Sequence, residues 1–198
     1  MSLLRSSLLI LDLETSGLPR DAWAAPTELA AVVLDVDGVE VSAFESLIAP
    51  AQGLPPEADR ALEITGITRE QLAVAPGPGA VLEAFWRFWH GHGRPHVTSF
   101  NVGFDRPMLD RLLPGVRFDL PWGPCLMMTA HRAMDVARVP ESVCRRHPSG
   151  ELKWPKLEEA AAWLDVPQQQ PAHRALADVR TACEVLRRLV VRARAEAA

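Results

Sequence analysis

The 198-residue chain has no tyrosine, three cysteines, and 21 lysines and arginines against 25 aspartates and glutamates, a net charge of −4. Cys125, Cys144 and Cys183 are far apart and odd in number. Without a Cys-x-x-Cys pair they exclude a zinc knuckle, a thioredoxin-type redox site and a disulfide framework, and they point to a reducing compartment. No apolar run approaches the roughly 20 residues of a membrane span. The run Leu8 to Leu11 is too short for the core of a signal peptide and is soon followed by two acids, so the expectation is a cytoplasmic protein with no membrane partner. The acidic balance excludes holding a long duplex by bulk charge, but not holding a short strand end in a local basic groove or through metal ions. Lys153 and Lys156 are the only lysines. The other bases are arginine, which together with abundant alanine reflects a GC-rich coding bias and not a function.

What remains is ordinary for one globular domain spanning 1–198, with 48% hydrophobic and 23% charged residues. Residues 7–13 and 28–36 are apolar runs typical of buried strands, and 39–48 alternates as a third strand. Asp37-Gly38 between the last two predicts an antiparallel hairpin. Residues 68–74 open with a helix-start pattern. Residues 79–90 carry Val81, Phe85, Phe88 and Trp89 as a helical stripe, ended by Gly91 and Gly93. A short strand at 96–101, a helix from Phe104 to Leu113 stopped by Pro114, and a mobile loop at 139–151 follow. A helix at Lys156–Leu164 precedes a last one, from near Ala172 towards Ala195, striped by Leu176, Val179, Cys183, Leu186 and Val190. Strands first, then strands and helices in alternation, predict an α/β fold with a mixed sheet flanked by helices.

Three segments carry chemistry. In Leu11-Asp12-Leu13-Glu14-Thr15-Ser16-Gly17, strand alternation puts Asp12 and Glu14 on one face. Carboxylates roughly 7 Å apart at the end of a buried strand repel unless a cation lies between them. In Asn101-Val102-Gly103-Phe104-Asp105, Asp105 falls in the first turn of a helix, where a plain capping acid is equally at home. In His173-Arg174-Ala175-Leu176-Ala177-Asp178, the histidine precedes or starts the last helix and the acid lies about one and a half turns in.

Taken together, D-x-E-T-x-G, then N-x-x-F-D, then H-x4-D resemble the DEDDh exonucleases over about residues 8–190. Glu28-Leu-Ala, Ile64-Thr-Gly-Ile-Thr68 and Leu157-Glu-Glu fit the same pattern. Cys125-Leu-Met127 and Lys153-Trp-Pro-Lys-Leu157 resemble a subgroup from phages and bacteria. Phe100 stands where many members have histidine, at a position that is not a metal ligand in the family. A chain without tyrosine cannot belong to the variant with tyrosine in place of His173.

The resemblance implies a ribonuclease H-like sheet of three antiparallel strands extended by two parallel ones. It implies two Mg²⁺ or Mn²⁺ ions, one held by Asp12, Glu14 and Asp178 and one by Asp12 and Asp105, with His173 taking the proton of the attacking water. Such carboxylate sites suit hard cations. The implied substrate is the 3′ end of single-stranded nucleic acid, DNA favoured over RNA. Thr15, Ser16, Gly17 and Leu18 would line the terminal nucleotide, Leu18 and Phe104 wedging its base beside Asn101. Arg106, Arg174 and Arg180 are candidate phosphate contacts, and Trp122 and Trp154 candidates for stacking or plain packing. Partners left open are a polymerase in trans and a second copy of the chain. The competing readings are an exoribonuclease or oligoribonuclease, and a nucleic-acid-binding or polymerase-associated module that no longer cleaves. The five intact positions count against the last.

Overall fold

The computed structural model describes residues 2–112 and 119–197. A mixed sheet forms its centre, built from β1 (Leu8–Thr15), β2 (Pro26–Leu34), β3 (Glu40–Leu47) and β4 (His96–Thr98) in the order β3-β2-β1-β4. β1, β2 and β3 are antiparallel, and β4 joins β1 in parallel. The helices are α1 (Asp59–Thr65), α2 (Arg69–Val74), α3 (Pro78–Gly91), α4 (Val102–Leu109), α5 (Leu126–Val136), α6 (Leu157–Trp163) and α7 (Ala175–Glu196). Every residue of β2 is buried. That is why its sequence is a continuous apolar run and not an alternating one: both faces of the sheet are covered.

One face carries Ile10, Ala30, Val32 and Leu34 and packs against α5, α6 and α7. The other carries Leu9, Leu11, Leu13, Leu29, Ala31 and Val33 and packs against α3 and α4 through Phe85, Trp89, Met108 and Leu109. The β2–β3 turn is organised one step earlier than Asp37-Gly38. The Asp35 carboxylate accepts from the backbone N–H groups of Asp37 and Val39, both at 2.9 Å, and Gly38 takes the left-handed φ of 76°. Thr68 and Gln71 form a reciprocal capping box that starts α2.

Several sequence expectations change. The second parallel extension of the sheet is reduced to a single parallel bridge between Val97 and Trp122. Pro121 and Pro124 flank it, and proline has no N–H with which to continue a ladder. α1 and α5 were not expected. The buried side of α1 is only Leu62 and Thr65, a weak signal, whereas α5 buries Leu126, Met127, Ala130 and Met134 as a regular helical stripe that the sequence analysis overlooked. The segment 139–151 is irregular, yet buried Val139 and Cys144 and a bridge from Arg146 to Leu152 tie it down. α7 begins at Ala175, three residues later than expected, because His173 has a φ of 59° that cannot continue a right-handed helix. The predicted helix stop at Leu113–Pro114 lies outside the described residues. Among the described residues, no helix is long and apolar enough to cross a membrane.

Asp35→Ala should cost about 1 kcal/mol of stability, since it removes the acceptor for two turn N–H groups at an exposed site. Urea unfolding would measure it. A loss below the error of the measurement would show that the turn forms without this acceptor.

Candidate active site

β1 alternates as its pattern predicts. Leu11 and Leu13 enter the α3–α4 core, so Asp12 and Glu14 share the Ile10 face, the face covered by α7. The short β4 pairs with β1 only as far as Ile10–Thr98, leaving the rest of that β1 edge open. The first turn of α4 fills the gap. Asp105, 2% exposed, accepts a hydrogen bond from the Leu13 backbone N–H on this edge. The buried Ser99 hydroxyl adjoins it as well, and Ser99 and the Leu13 N–H both act against the effect of burial. Asp105 is therefore a buried acid at the open edge of β1, beside Asp12, and more than a helix cap.

Asp178 arrives from the opposite side, in the first turn of α7. What fixes that turn is Glu28, fully buried on β2 and paired across the sheet with Glu14. The Glu28 carboxylate accepts from Arg174 Nε at 3.1 Å, from its terminal nitrogen at 2.5 Å, and from the Ala175 backbone N–H at 3.0 Å. It thus satisfies an orphan N–H at the start of α7 and neutralises itself with a guanidinium. Arg174 is accordingly an anchor between strand and helix and not a free phosphate contact. Arg180 is likewise engaged, with Glu40 at 2.8 Å.

Carboxylate oxygens of Asp12, Glu14 and Asp178 all lie within 4.8 Å of one another. Burial raises all four acids. It lifts Asp12 well above the usual carboxylate range, with Asp105 and then Glu14 as the nearest repelling charges. It pushes Glu14 up to about 8, with Asp178 as the first repelling charge, and Asp105 up to about 7. Asp178 is also raised by burial, while the charge of His173 and its backbone hydrogen bond pull the other way. An all-oxygen donor set carrying this much uncompensated negative charge fits hard divalent cations such as Mg²⁺ or Mn²⁺.

His173 is exposed and lines a cavity of about 220 Å³ with Leu157, Glu158, Gln168, Ala172, Asp178 and Thr181. It shares this cavity with Asp178, one of the clustered acids. On the other flank, Thr15, Ser16, Gly17 and Leu18 border a second cavity, of about 350 Å³, with Trp23, Arg60 and Ile64. Leu18 and Ile64 are 44% and 54% exposed there. The Thr15 hydroxyl donates to Gly17 O at 2.7 Å, and the buried Ser16 hydroxyl accepts from the Ala25 N–H at 2.9 Å. These hydroxyls shape the loop, which leaves mainly backbone and the Leu18 side chain to face a ligand. A Cβ on Gly17 would come within 2.7 Å of the Trp23 ring, so only glycine lets the ring close over this turn. Arg111 clamps the same loop through the carbonyls of Pro19, Asp21 and Ala24.

Asn101 sits at the start of α4, partly exposed, and Phe104 is half-buried against the core. Phe100 lies in the α5–α7 core, where a histidine would need a polar partner. Arg60 and Ile64 escaped the sequence reading because α1 itself did; Ile64-Thr-Gly-Ile-Thr68 was the available signal. Trp122 is half-buried against the core, whereas Trp154 is 64% exposed.

The raised acids give the metal-free protein a defined pH response. Their folded-state pKa values lie above the unfolded ones, so the stabilisation is complete below the ordinary carboxylate range. It is lost as pH rises through about 7 for Asp105 and about 8 for Glu14. Divalent cations relieve the same repulsion, so the rise in Tm produced by Mg²⁺ or Mn²⁺ should be small at acid pH and grow towards pH about 8. Thermal melts with metal and with EDTA across this range check it. A metal shift independent of pH would contradict the coupling.

The family model described as "Exonuclease" matches residues 9–186. A "Putative bifunctional exonuclease/endonuclease protein" of Mycobacterium tuberculosis is 32% identical over 201 residues, covering 97% of this chain but only 28% of that protein. The chain thus spans little more than a quarter of that relative. Among solved structures, the nuclease domain of 3′hExo, a DEDDh family member bound to rAMP, superposes with a TM-score of 0.71 at 17% identity, covering 94% of this chain and 92% of that one. E. coli Exonuclease I in complex with a dA16 oligonucleotide superposes with a TM-score of 0.67 at 20% identity, covering 92% of this chain and 40% of that one. The match over most of its length, on the sheet and helices that carry the acids just described, establishes that the chain belongs to the exonuclease family.

Proposed function

We propose that the protein hydrolyses single-stranded nucleic acid from its 3′ end and releases nucleoside monophosphates, with DNA favoured over RNA. The observation that carries the reading is the cluster of Asp12, Glu14 and Asp178 within 4.8 Å, set between an exposed histidine and a cavity with an apolar rim. In this reading Asp12, Glu14 and Asp178 hold one divalent cation, and Asp12 with Asp105 holds a second. When bound, such cations supply the positive charge that makes water nucleophilic and stabilises a leaving 3′-oxygen.

The chain's own residues do the rest. Backbone groups of Thr15 to Leu18 position the terminal nucleotide, and Leu18 and Ile64 grip its base across the 350 Å³ cavity. In this reading Phe104, beside Asn101 at the start of α4, flanks the terminal base. His173 accepts the proton of the attacking water, and its exposure lets that proton pass to solvent. An exoribonuclease would use the same groups, and the similar domain bound to rAMP keeps RNA as the second reading.

A 5′-labelled single strand should give a ladder shortened one nucleotide at a time in Mg²⁺ or Mn²⁺, and no products in excess EDTA. Matched DNA and RNA strands decide the preference. Cleavage of a circular single strand would show an endonuclease instead. Asp12→Asn should lower the rate by several orders of magnitude while the fold persists, with melting unchanged or improved.

The His173→Ala variant should lose about 10²–10⁴-fold in rate and keep the metal-dependent rise in Tm. His173→Gln, which keeps a polar side chain but cannot serve as a base, should be as slow as His173→Ala. Loss of the metal response in His173→Ala but not in Asp178→Asn would exchange the two roles.

A further inference from the structure

Resting on the exonuclease reading, we propose that Arg145, Lys153 and Trp154 form a second subsite for the same strand. The cations would hold phosphates upstream of the 3′ end, and the indole would stack on a base.

The segment leading into α6 is a small antiparallel ribbon. Lys153 N donates to Arg145 O at 2.9 Å and His147 N to Glu151 O at 2.8 Å, on either side of the Arg146–Leu152 bridge. Side chains alternate across such a pairing. Cys144 and Leu152 are buried, so they and Arg146 define the inner face. Arg145 and Lys153 therefore lie opposite one another on the outer face, with His147 and Glu151 as the next pair. Directly opposed like charges destabilise a strand pair. Among the described residues, neither cation has an ion pair or a side-chain hydrogen bond to offset this. By contrast, Arg146 bonds Gly150 O, and Lys156 pairs with Glu158 at 3.1 Å. In a chain of net charge −4, two cations held side by side without an ion pair, with Glu151 as the acid in the next pair of this face, make a locally basic spot that an anion can occupy.

Trp154 follows directly and is 64% exposed, with no ring or hydrogen-bond partner among the described residues. An indole costs free energy in water, and a solvent-facing aromatic beside cations is what a single strand uses: backbone on the charges, base on the ring. The location supports this occupant over a protein or a small anion. Trp154 is three residues before Leu157, a reach of at most about 10 Å. Leu157 and Glu158 line the cavity that contains His173 and Asp178. A strand whose 3′ end occupies the acid cluster passes this ribbon within a few nucleotides if it leaves along α6.

The test compares a dinucleotide with a single strand of about ten nucleotides. On the longer strand, Trp154→Ala should lower kcat/KM about tenfold, mostly through KM, and Trp154→Phe should restore most of it. Arg145→Ala with Lys153→Ala should weaken binding and flatten the log–log salt dependence by about 1.4, about 0.7 for each cation. Lys153→Arg should keep the slope. Dinucleotide turnover, too short to reach the ribbon, is the control and should be the same for all variants. Equal losses on both substrates, or wild-type values and salt slope on the longer strand, would overturn the subsite. Equilibrium binding of a fluorescent oligonucleotide in Ca²⁺ separates this proposal from the exonuclease reading. If the wild type cleaves nothing while binding still depends on Trp154 and the two cations, the subsite stands and the catalytic reading falls. If binding ignores them, the subsite falls whatever the activity.

Discussion

Mutual repulsion among carboxylates held away from water is the constraint around which this fold is arranged. Asp12, Glu14, Asp105 and Asp178 converge at one end of a sheet buried on both faces, and burial raises every one of them. A flexible chain would relieve such strain by letting the acids drift into solvent. Here they cannot drift: Asp12 and Glu14 are fixed by the register of β1 with β2, and Asp105 by the Leu13 N–H at the open edge of β1. The repulsion is thus stored by rigid elements, in a cluster that could hold a metal ion.

A fifth carboxylate solves a different problem. Glu28 stands next to Glu14 across the sheet yet is consumed entirely within the protein, by Arg174 and the Ala175 N–H. Its buried ion pair is weak evidence for net stability, since desolvation offsets most of the attraction. Its value is positional. It ties the first turn of α7 to β2, and through that turn it sets both Asp178 and the left-handed turn at His173. A group that looks like one more acid of the cluster is therefore the peg on which the other half of the cluster hangs.

The two flanks of the acid cluster are built by different means. The Thr15–Pro26 loop is closed by its own hydroxyls, by Trp23 lying over Gly17 and by the guanidinium of Arg111, so that it is stiff and mostly backbone. The α6 flank is charged and aromatic, with Lys156 drawn towards Glu158 and Trp154 left in solvent. A stiff backbone wall suits recognition of a nucleotide's shape, and a charged flank suits the sequence-independent backbone of a strand.

The sequence by itself determined what depends on neighbours along the chain. Strand alternation placed Asp12 and Glu14 on one face. The apolar runs marked β1 and β2. Local period and turn chemistry are written in consecutive residues, which is why these could be read; Asp105, His173 and Asp178 stood out only through the resemblance of the three motifs, taken together, to a known family. The tertiary structure alone decided the rest. Arg174 and Glu28 meet from 146 residues apart, which turned a candidate phosphate contact into an anchor. The sheet's last parallel extension shrank to one bridge between prolines, α1 arose on a weak stripe that only packing rewards, and Ser16 turned its hydroxyl inward. These outcomes hinge on which surfaces meet, and a free energy shared between distant segments leaves no pattern in either one.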